Sequence, residues 1–510
     1  GGVTFSNVMP TIPSSSNVYV VADIELGADN RIWVGTRQNY LQTATDKGGG
    51  RIMYSDNGTT FTVAYSHTNQ AGRVKVACAP SSAYTLYAVF EANGKVDTLI
   101  RTHNKGKTWI SVSKPKDADT GIPGTDPSRG QAWYDLSLAV SPLDTTVVMA
   151  GFVDVFQTQN KGLAWLQVGK WSNNSGLANL SCAYVHADIH TFTFKPGSTE
   201  CLIGTDGGIF YAPDVMDNMS NQAVIYEANN GFTVTQMCWG DISQTKGKDL
   251  MLAGAQDNGT NQLATSGLCN ENMISGGDGG YCFISQTNDN KQIVSYVYNQ
   301  FYSTTNNWTA NAKIIDDATT GKFINPAVWD DLNGYLFTGK SKVTIYRNKL
   351  GTSATLATTV TVNGTAANGA PSAFCSSISS AGKTQLYVGT DVGKLYVTTD
   401  AVASAPTWKD ITGSTGSAIP AGNISCIHRL RLSDTLFVTI SNYGSTANIL
   451  MSVDAGVTWT SRDGNIADMP IWAILVNPNK MGEAVIATED RKSTRLNSSH
   501  VKRSRMPSSA

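Results

Sequence analysis

Three residues of types that often bind ligands or metals alternate in one short stretch, as His186, Asp188 and His190. On a strand, side chains two positions apart point to the same face and lie about 6.6 Å apart. Asp188 and His190 could therefore share one metal ion, whereas the two histidines, about 13 Å apart, cannot easily do so. The favoured interpretation is a hydrogen-bonded network that holds an inner strand; metal binding by Asp188 and His190, or their contact with a ligand, are the alternatives.

Two aspartates lie in glycine-rich segments, Asp257 in Gln256-Asp-Asn-Gly259 and Asp278 in Gly276-Gly-Asp-Gly-Gly280. Glycine lets one stretch of backbone approach another closely. A glycoside hydrolase needs two carboxyl groups roughly 5 to 9.5 Å apart. Asp257 and Asp278 are therefore the catalytic candidates and also candidate ligand-binding residues. Tight turns in which Asp caps the backbone are the favoured structural interpretation.

Tryptophans near predicted loops are candidates for stacking on sugar rings, namely Trp133, Trp171 and Trp239, although packing between sheets is the commoner role. Trp133 is the one we assign to ligand binding. A sialidase would need an arginine cluster for the sugar carboxylate, because only the guanidinium group forms a rigid bidentate fork. No arginine occurs between Arg129 and Arg347, which argues against that class of enzyme.

The elements that position these residues follow from a repeated turn motif. Residues 452–459, Ser-Val-Asp-Ala-Gly-Val-Thr-Trp, fit the Asp-box pattern S/T-x-D-x-G-x-T-W at every defined position, and residues 102–109 and 158–165 fit it less closely. The Asp or Asn side chain can accept hydrogen bonds from the backbone ahead of it, and Gly supplies a positive φ. The aromatic residue then anchors the next strand between neighbouring sheets.

The spacing of these anchors gives a count of repeats. They stand at positions 61, 109, 165, 308, 408 and 459. The two long gaps divide into repeats of about fifty residues with decayed motifs near 213, 260 and 358, which gives nine repeats and a tenth that begins at Ile471. Four antiparallel strands per repeat form a propeller blade. We therefore predict an all-β fold, a single large β-propeller over residues 1–490 with ten blades, the last interrupted.

Charge and cysteine content limit the partners. Residues 491–510 carry six Lys or Arg and no acid, and we predict a non-native, disordered tail there; the remaining chain is mildly acidic. A mildly acidic chain has no excess of basic residues with which to bind nucleic acid. No apolar run is long enough for a membrane helix. The predicted chain is a monomer without membrane insertion. Cys182 with Cys201, or Cys269 with Cys282, could pair across neighbouring strands.

With these repeats, the chain resembles secreted Asp-box (BNR-repeat) propellers related to the sortilin ligand-binding domain, as found among exported proteins of Bacteroidota. The resemblance covers roughly residues 15–490 and is sharpest in five central segments: 130–135, 186–190, 204–208, 256–260 and 276–280. It implies ten blades and an extracellular or cell-surface location, often reached by type IX secretion.

No recognisable catalytic set accompanies this fold. We therefore predict a non-catalytic binding module for a protein, peptide or glycan ligand, with no cofactor and no metal. The alternative is a xyloglucanase-like glycoside hydrolase that uses Asp257 and Asp278.

Overall fold

The structure is a computed structural model. It describes residues 6–489 apart from positions 44, 69–70, 123, 218–223, 233, 266–271, 343, 351–357, 363–364, 380, 431–432 and 481. The chain divides into two compact units, Gly1–Val234 (unit 1) and Thr235–Ala510 (unit 2). Each unit is a series of antiparallel sheets formed from consecutive strands.

Unit 1 contains four sheets, each built from one continuous stretch of chain. A single bridge, Arg37 to Arg73, links sheets 1 and 2, and a short parallel strand, β13, extends sheet 3. The strands are, for sheet 1, β1 Val20–Leu26, β2 Ile32–Arg37, β3 Arg51–Ser55 and β4 Thr62–Ser66; for sheet 2, β5 Arg73–Cys78, β6 Leu86–Ala92, β7 Lys95–Thr102 and β8 Ile110–Val112; for sheet 3, β9 Ser137–Val140, β10 Val148–Gly151, β11 Val155–Thr158, β12 Leu166–Lys170 and β13 Ala183–Tyr184; and for sheet 4, β14 Ile189–Phe194, β15 Cys201–Thr205, β16 Gly208–Ala212 and β17 Tyr226–Glu227.

Unit 2 contains five four-stranded sheets and a final two-stranded one. The strands are, for sheet 5, β18 Trp239–Ile242, β19 Met251–Gly254, β20 Thr260–Leu263 and β21 Asn272–Ser275; for sheet 6, β22 Cys282–Ile284, β23 Gln292–Ser295, β24 Asn299–Thr304 and β25 Ala312–Asp317; for sheet 7, β26 Ala327–Asp330, β27 Tyr335–Ser341, β28 Thr344–Lys349 and β29 Thr358–Thr361; for sheet 8, β30 Pro371–Ile378, β31 Thr384–Thr390, β32 Leu395–Thr398 and β33 Lys409–Asp410; for sheet 9, β34 Ile424–Arg429, β35 Leu436–Ile440, β36 Ile449–Ser452 and β37 Thr460–Ser461; and for sheet 10, β38 Ile471–Val476 and β39 Ala484–Thr488.

Consecutive sheets within a unit pack face to face, which explains why many central strands are apolar at every position. In β6, Ala88 and Phe90 belong to the hydrophobic cluster shared with sheet 1, whereas Tyr87 and Val89 belong to the cluster shared with sheet 3. Successive side chains on a strand point to opposite faces. Both faces of such a strand are therefore buried, as expected for a blade inside a series of blades.

The Asp-box segments form turns with one shared set of hydrogen bonds. In residues 452–459, the Gly456 amide donates to Ser452 Oγ at 2.8 Å and the Thr458 amide donates to Asp454 Oδ1 at 2.9 Å. The segments that begin at Thr102 and Thr158 make equivalent bonds, with Asn in place of Asp. The turn requires two successive residues of positive φ, and in each of these three segments the second is glycine.

A fourth turn of this kind corrects the assignment of Trp308. The amide of Trp308 donates to Thr304 Oγ1, and the Ala310 amide donates to Asn306 Oδ1. Trp308 therefore occupies the glycine position of the turn, at φ 65°, and not the anchor position at the start of the next strand. Its ring still packs against the cluster between sheets 5 and 6, and its Nε1 donates to Gln292 Oε1 at 2.6 Å.

The predicted fold class is confirmed: the chain is all-β, and its described residues form nine four-stranded antiparallel sheets followed by a two-stranded tenth. Over the described ranges, helix is confined to two 3-10 turns, Ser175–Asn179 and Ala366–Asn368, and no helix there is long and apolar enough to cross a membrane. Closure of the blades into one ring over residues 1–490 stays a prediction, and the tail 491–510 lies outside the described residues. Cys182 and Cys201 are both free thiols, so that pairing was wrong, while Cys269 lies outside the described residues.

One half-buried acid in this fold, Glu25, predicts a measurable pH dependence. Burial, and next the charge of Asp23, raise the pKa of Glu25 on β1 to about 7. The pKa of a glutamate in the unfolded chain is about 4.3. Between about pH 4.3 and pH 7, Glu25 is therefore mostly ionised in the unfolded state and mostly protonated in the folded state. Stability from this group is fully present below about pH 4 and is lost as the pH rises to about 7.

The Glu25→Gln variant should therefore be more stable than the parent chain by about 1–3 kcal/mol at pH 8, and equal to it near pH 4. Urea denaturation followed by circular dichroism at both pH values measures the difference. A constant difference across the range would contradict the assignment of the raised pKa to Glu25.

Candidate functional site

The most exposed tryptophan among the described residues, Trp133, lies on the loop between β8 and β9 in unit 1, with 64% of its surface accessible. The loop is fixed from beneath by Arg73 on β5, whose guanidinium group donates to the carbonyl oxygens of Trp133 at 2.9 Å and Tyr134 at 3.0 Å. The rings of Trp133 and Tyr134 lie 5.6 Å apart. Because Arg73 holds the backbone at this point, the exposed position of the Trp133 ring does not depend on the rigidity of the rest of the loop.

Trp133 borders a cleft of about 760 Å³ at one end of sheet 2. A second exposed ring, Tyr40, with 73% of its surface accessible, lines the same cleft. The other lining groups are mainly polar, among them Asn93, Lys95, Asp97 and Lys114. The volume lies within the range of ligand-binding clefts, roughly 300–1,000 Å³.

Several of the charged groups of the cleft are held by neighbours. Asp97 Oδ2 lies 3.0 Å from His67 Nε2. Lys114 donates to the carbonyl oxygen of Val96 at 3.0 Å, and the side chain of Glu91 accepts the Gly94 amide at 2.8 Å. These contacts fix the polar side chains that line the cleft, which lowers the entropic cost of ordering those side chains when a ligand binds.

Through Tyr134, the same loop also contacts the segments 186–190 and 204–208 of unit 1. Its hydroxyl donates to Asp206 Oδ2 at 2.9 Å, and His190 Nε2 lies 2.7 Å from Asp206 Oδ1. The rings of Tyr134 and His190 meet edge to face, with centroids 4.8 Å apart. Segments 130–135, 186–190 and 204–208, which are separate in the sequence, therefore form one hydrogen-bonded cluster.

Asp188 and Asp135 form the buried end of this cluster. The Gln131 side-chain amide donates to Asp188 Oδ1 at 2.5 Å and to Asp135 Oδ2 at 3.2 Å. Asp135 is fully buried, and burial together with the charge of Asp188 raises its pKa to about 9. Burial, followed by the charge of Asp206, also raises the pKa of Asp188. Titratable groups with perturbed pKa values concentrate at functional sites.

One expectation about this region was wrong. Residues 186–190 are not one continuous strand, because β14 begins at Ile189 and Asp188 has a φ of 65°. Alternation therefore does not apply to His186, Asp188 and His190.

The other two candidate tryptophans take the packing role that is commoner for this residue. Trp171 is half-buried beside Arg129, and in unit 2 the half-buried Trp239 stacks on Tyr281 with centroids 4.3 Å apart.

In unit 2, the structure places Asp257 and Asp278 together at one end of sheet 5. Asp278 Oδ1 accepts a hydrogen bond from the backbone amide of Asp257 at 3.0 Å. The two glycine-rich segments lie backbone against backbone, since a Cβ on Gly279 would come within 2.1 Å of the Gly259 carbonyl oxygen. The close approach that the glycines predict is therefore between two loops of this chain, with Asp278 capping a turn.

No protein-family model matches the chain, and no curated protein matches it. Among solved structures, the chain is similar to a GH74 enzyme of Niastella koreensis, at 12% identity and a TM-score of 0.29 over 89% of this chain and 86% of that chain. It is also similar to the GH74 xyloglucanase of Xanthomonas campestris, at 11% identity and a TM-score of 0.29 over 92% and 97%. YCF48 from Cyanidioschyzon merolae gives 11% identity and a TM-score of 0.27 over 65% and 93%. Similarity this distant carries no information on reaction or ligand.

Three members of these sites were not predicted from the sequence. Tyr40 has no motif around it, and only the fold brings it to the cleft that Trp133 also lines. Tyr134 lies in the segment 130–135, but the residue pattern there does not indicate its contacts. Asp206 and Asp391 each follow a Gly-Thr pair, yet Asp391 accepts the Ala370 amide whereas Asp206 bonds His190 and Tyr134.

Proposed function

We propose that this protein is a secreted Asp-box β-propeller that binds carbohydrate without turnover, and that the cleft beside Trp133 is its binding site. The observation that carries the proposal is the pair of exposed aromatic rings, Trp133 and Tyr40, on one polar cleft. The extracellular location is supported by the resemblance to exported Asp-box propellers and by the low content of charged residues, 15%.

Carbohydrate fits this cleft better than a peptide or a protein surface. Sugar rings present C–H groups on their faces, which pack on aromatic rings, and hydroxyl groups at their edges, which need polar partners. Trp133 and Tyr40 offer the first kind of contact. Asn93, Lys95 and Asp97 offer the second. A peptide site would instead need apolar pockets for side chains or an open strand edge.

The role of Asp278 supports binding without hydrolysis. A two-carboxylate mechanism needs one carboxyl group on each side of the glycosidic bond, roughly 5 to 9.5 Å apart, and each must be able to approach it. One oxygen of Asp278 already accepts the backbone amide of Asp257, and the surrounding glycines serve the contact between the two loops. The xyloglucanase-like alternative therefore requires a structural carboxylate to act as a catalytic one.

The Trp133→Ala variant should lose about five- to 150-fold in affinity for the glycan that the parent chain binds, because an aromatic anchor of a site is worth roughly 1–3 kcal/mol. A glycan array selects the ligand, and isothermal titration calorimetry measures the affinity. Trp472→Ala is the matched control, since Trp472 is also exposed, at 48%, but lies on β38 of unit 2. Equal affinity of Trp133→Ala and the parent chain would contradict the proposed site.

Incubation of the purified chain with xyloglucan, β-glucan and sialosides tests turnover. We expect no release of reducing sugar. Release that is lost in Asp257→Asn or Asp278→Asn would overturn the non-catalytic proposal and favour the hydrolase.

A further inference from the structure

We propose that Asp188 and Asp206 bind a divalent cation of the Ca²⁺ type through their carboxylate oxygens. This site is separate from the carbohydrate cleft and does not depend on it. From the sequence we expect no metal. That expectation rests on the pair Asp188 and His190, whereas the site proposed here pairs Asp188 with Asp206.

The distance between the two carboxylates suits one ion. Oxygen atoms of Asp188 and Asp206 lie within 4.8 Å of one another. Ca²⁺ binds oxygen at about 2.3–2.6 Å, so two ligands of the same ion lie at most about 5.2 Å apart. Both residues are half-buried, which leaves room for water molecules to complete the coordination.

Asp135 supplies an independent observation. It is fully buried, and no donor group among the described residues forms a hydrogen bond to its Oδ1 atom. The group faces Asp188, since the two carboxyls interact with each other and share the Gln131 amide. A buried polar atom without a partner indicates an ion or a water molecule at that position.

The charge balance of the cluster favours a cation. Three carboxyl groups, Asp135, Asp188 and Asp206, lie together. Arg73 does not neutralise them directly, because its guanidinium donates to the carbonyl oxygens of Trp133, Tyr134 and Leu136. The charges of Asp188 and Asp206 repel each other, and a divalent ion between them would offset that repulsion.

The contacts of His190 select the class of ion. Its Nε2 is engaged with Asp206 Oδ1 at 2.7 Å, and the described ligand atoms close enough to share one ion are carboxylate oxygens. Oxygen donors prefer Ca²⁺ or Mg²⁺, whereas imidazole ligands would favour Zn²⁺. Tyr134 and His190 orient the Asp206 carboxylate from the outside, which is the usual arrangement around a metal ligand.

Terbium luminescence tests the site, because Tb³⁺ replaces Ca²⁺ and is excited by a nearby aromatic ring. The full chain is first stripped with EDTA and then titrated with Tb³⁺. We expect saturable emission from one site per chain, excited through Tyr134, and displacement of Tb³⁺ by Ca²⁺. Calorimetric titration with Ca²⁺ alone provides the affinity.

Asp188→Asn and Asp206→Asn should each lower the affinity at least tenfold, and Asn tolerates the positive φ of residue 188. Tyr134→Phe keeps both ligands and should lower the affinity about tenfold through the lost hydrogen bond. Asp391→Asn is the matched control, because Asp391 follows the same Gly-Thr pair in unit 2 but pairs with Lys322. Circular dichroism in EDTA confirms that each variant is folded. Absence of saturable binding to the parent chain, or unchanged binding to a folded Asp188→Asn variant, would overturn the proposal.

Discussion

The Trp459→Ala variant is expected to lose about 3–5 kcal/mol of the free energy of unfolding. Trp459 follows the Asp-box turn of sheet 9 and is only 3% exposed. Its ring lies in the cluster shared by sheets 8 and 9, and its Nε1 donates to the carbonyl oxygen of Ile411 at 3.0 Å. Alanine would leave a cavity between the two sheets and an unsatisfied carbonyl group at Ile411.

Urea denaturation followed by far-ultraviolet circular dichroism measures this loss. Trp472→Ala again provides the control, because its ring is half exposed and removing it leaves no closed cavity. If both substitutions changed the denaturation midpoint equally, Trp459 would not be an anchor between sheets.

The second large effect is expected at Arg129, where Arg129→Met should destabilise the chain by about 3–5 kcal/mol. The guanidinium group bonds three carboxylates: Asp117 at 2.8 Å, and Asp119 and Asp154 at 3.2 Å each. The side chains of Asp117 and Asp154 are fully buried. Methionine fills a similar volume but leaves these carboxylates without a counter-charge in a region of low dielectric constant.

The loss of stability in Arg129→Met should become smaller as the pH falls, because protonation of the aspartates removes their unpaired negative charges. Burial raises the pKa of Asp154 to about 7 even with Arg129 present. Lys195→Met, which breaks the exposed pair with Glu200, is the control and should have little effect. An equally small effect at Arg129 would contradict its role as the counter-charge of the buried Asp117 and Asp154.

The blade count could be predicted from the sequence because it depends on local chemistry. A turn of the kind at Ser452–Trp459 needs a hydroxyl group, an Asp or Asn and a residue of positive φ at fixed spacing, and these residue types are visible in the sequence. The turn at Thr304 was missed because Trp308 occupies the position of positive φ, which bulky residues rarely adopt. Hydrogen bonds from neighbouring strands, such as that to Gln292, hold it there.

The sites were less predictable because they depend on contacts that are distant in the sequence. Trp133 could be proposed as exposed, but Trp171 and Trp239 looked the same by sequence and are packed against Arg129 and Tyr281, respectively. The prediction that the side chains of residues 186–190 alternate between two faces of a strand was wrong, because the backbone at Asp188 is not extended. The bond between His190 and Asp206 crosses from β14 to the turn after β15, and only the pairing of these strands brings the two together.

Each sheet comes from one uninterrupted stretch of chain, and this has a consequence for how the molecule acquires its structure. Strand pairing requires only the closure of short loops, so the contact order is low within every sheet. A sheet can therefore assemble as soon as its own fifty or so residues have been synthesised, and the next one docks on its exposed face. Nascent chains halted after successive sheets should show stepwise increases in resistance to protease.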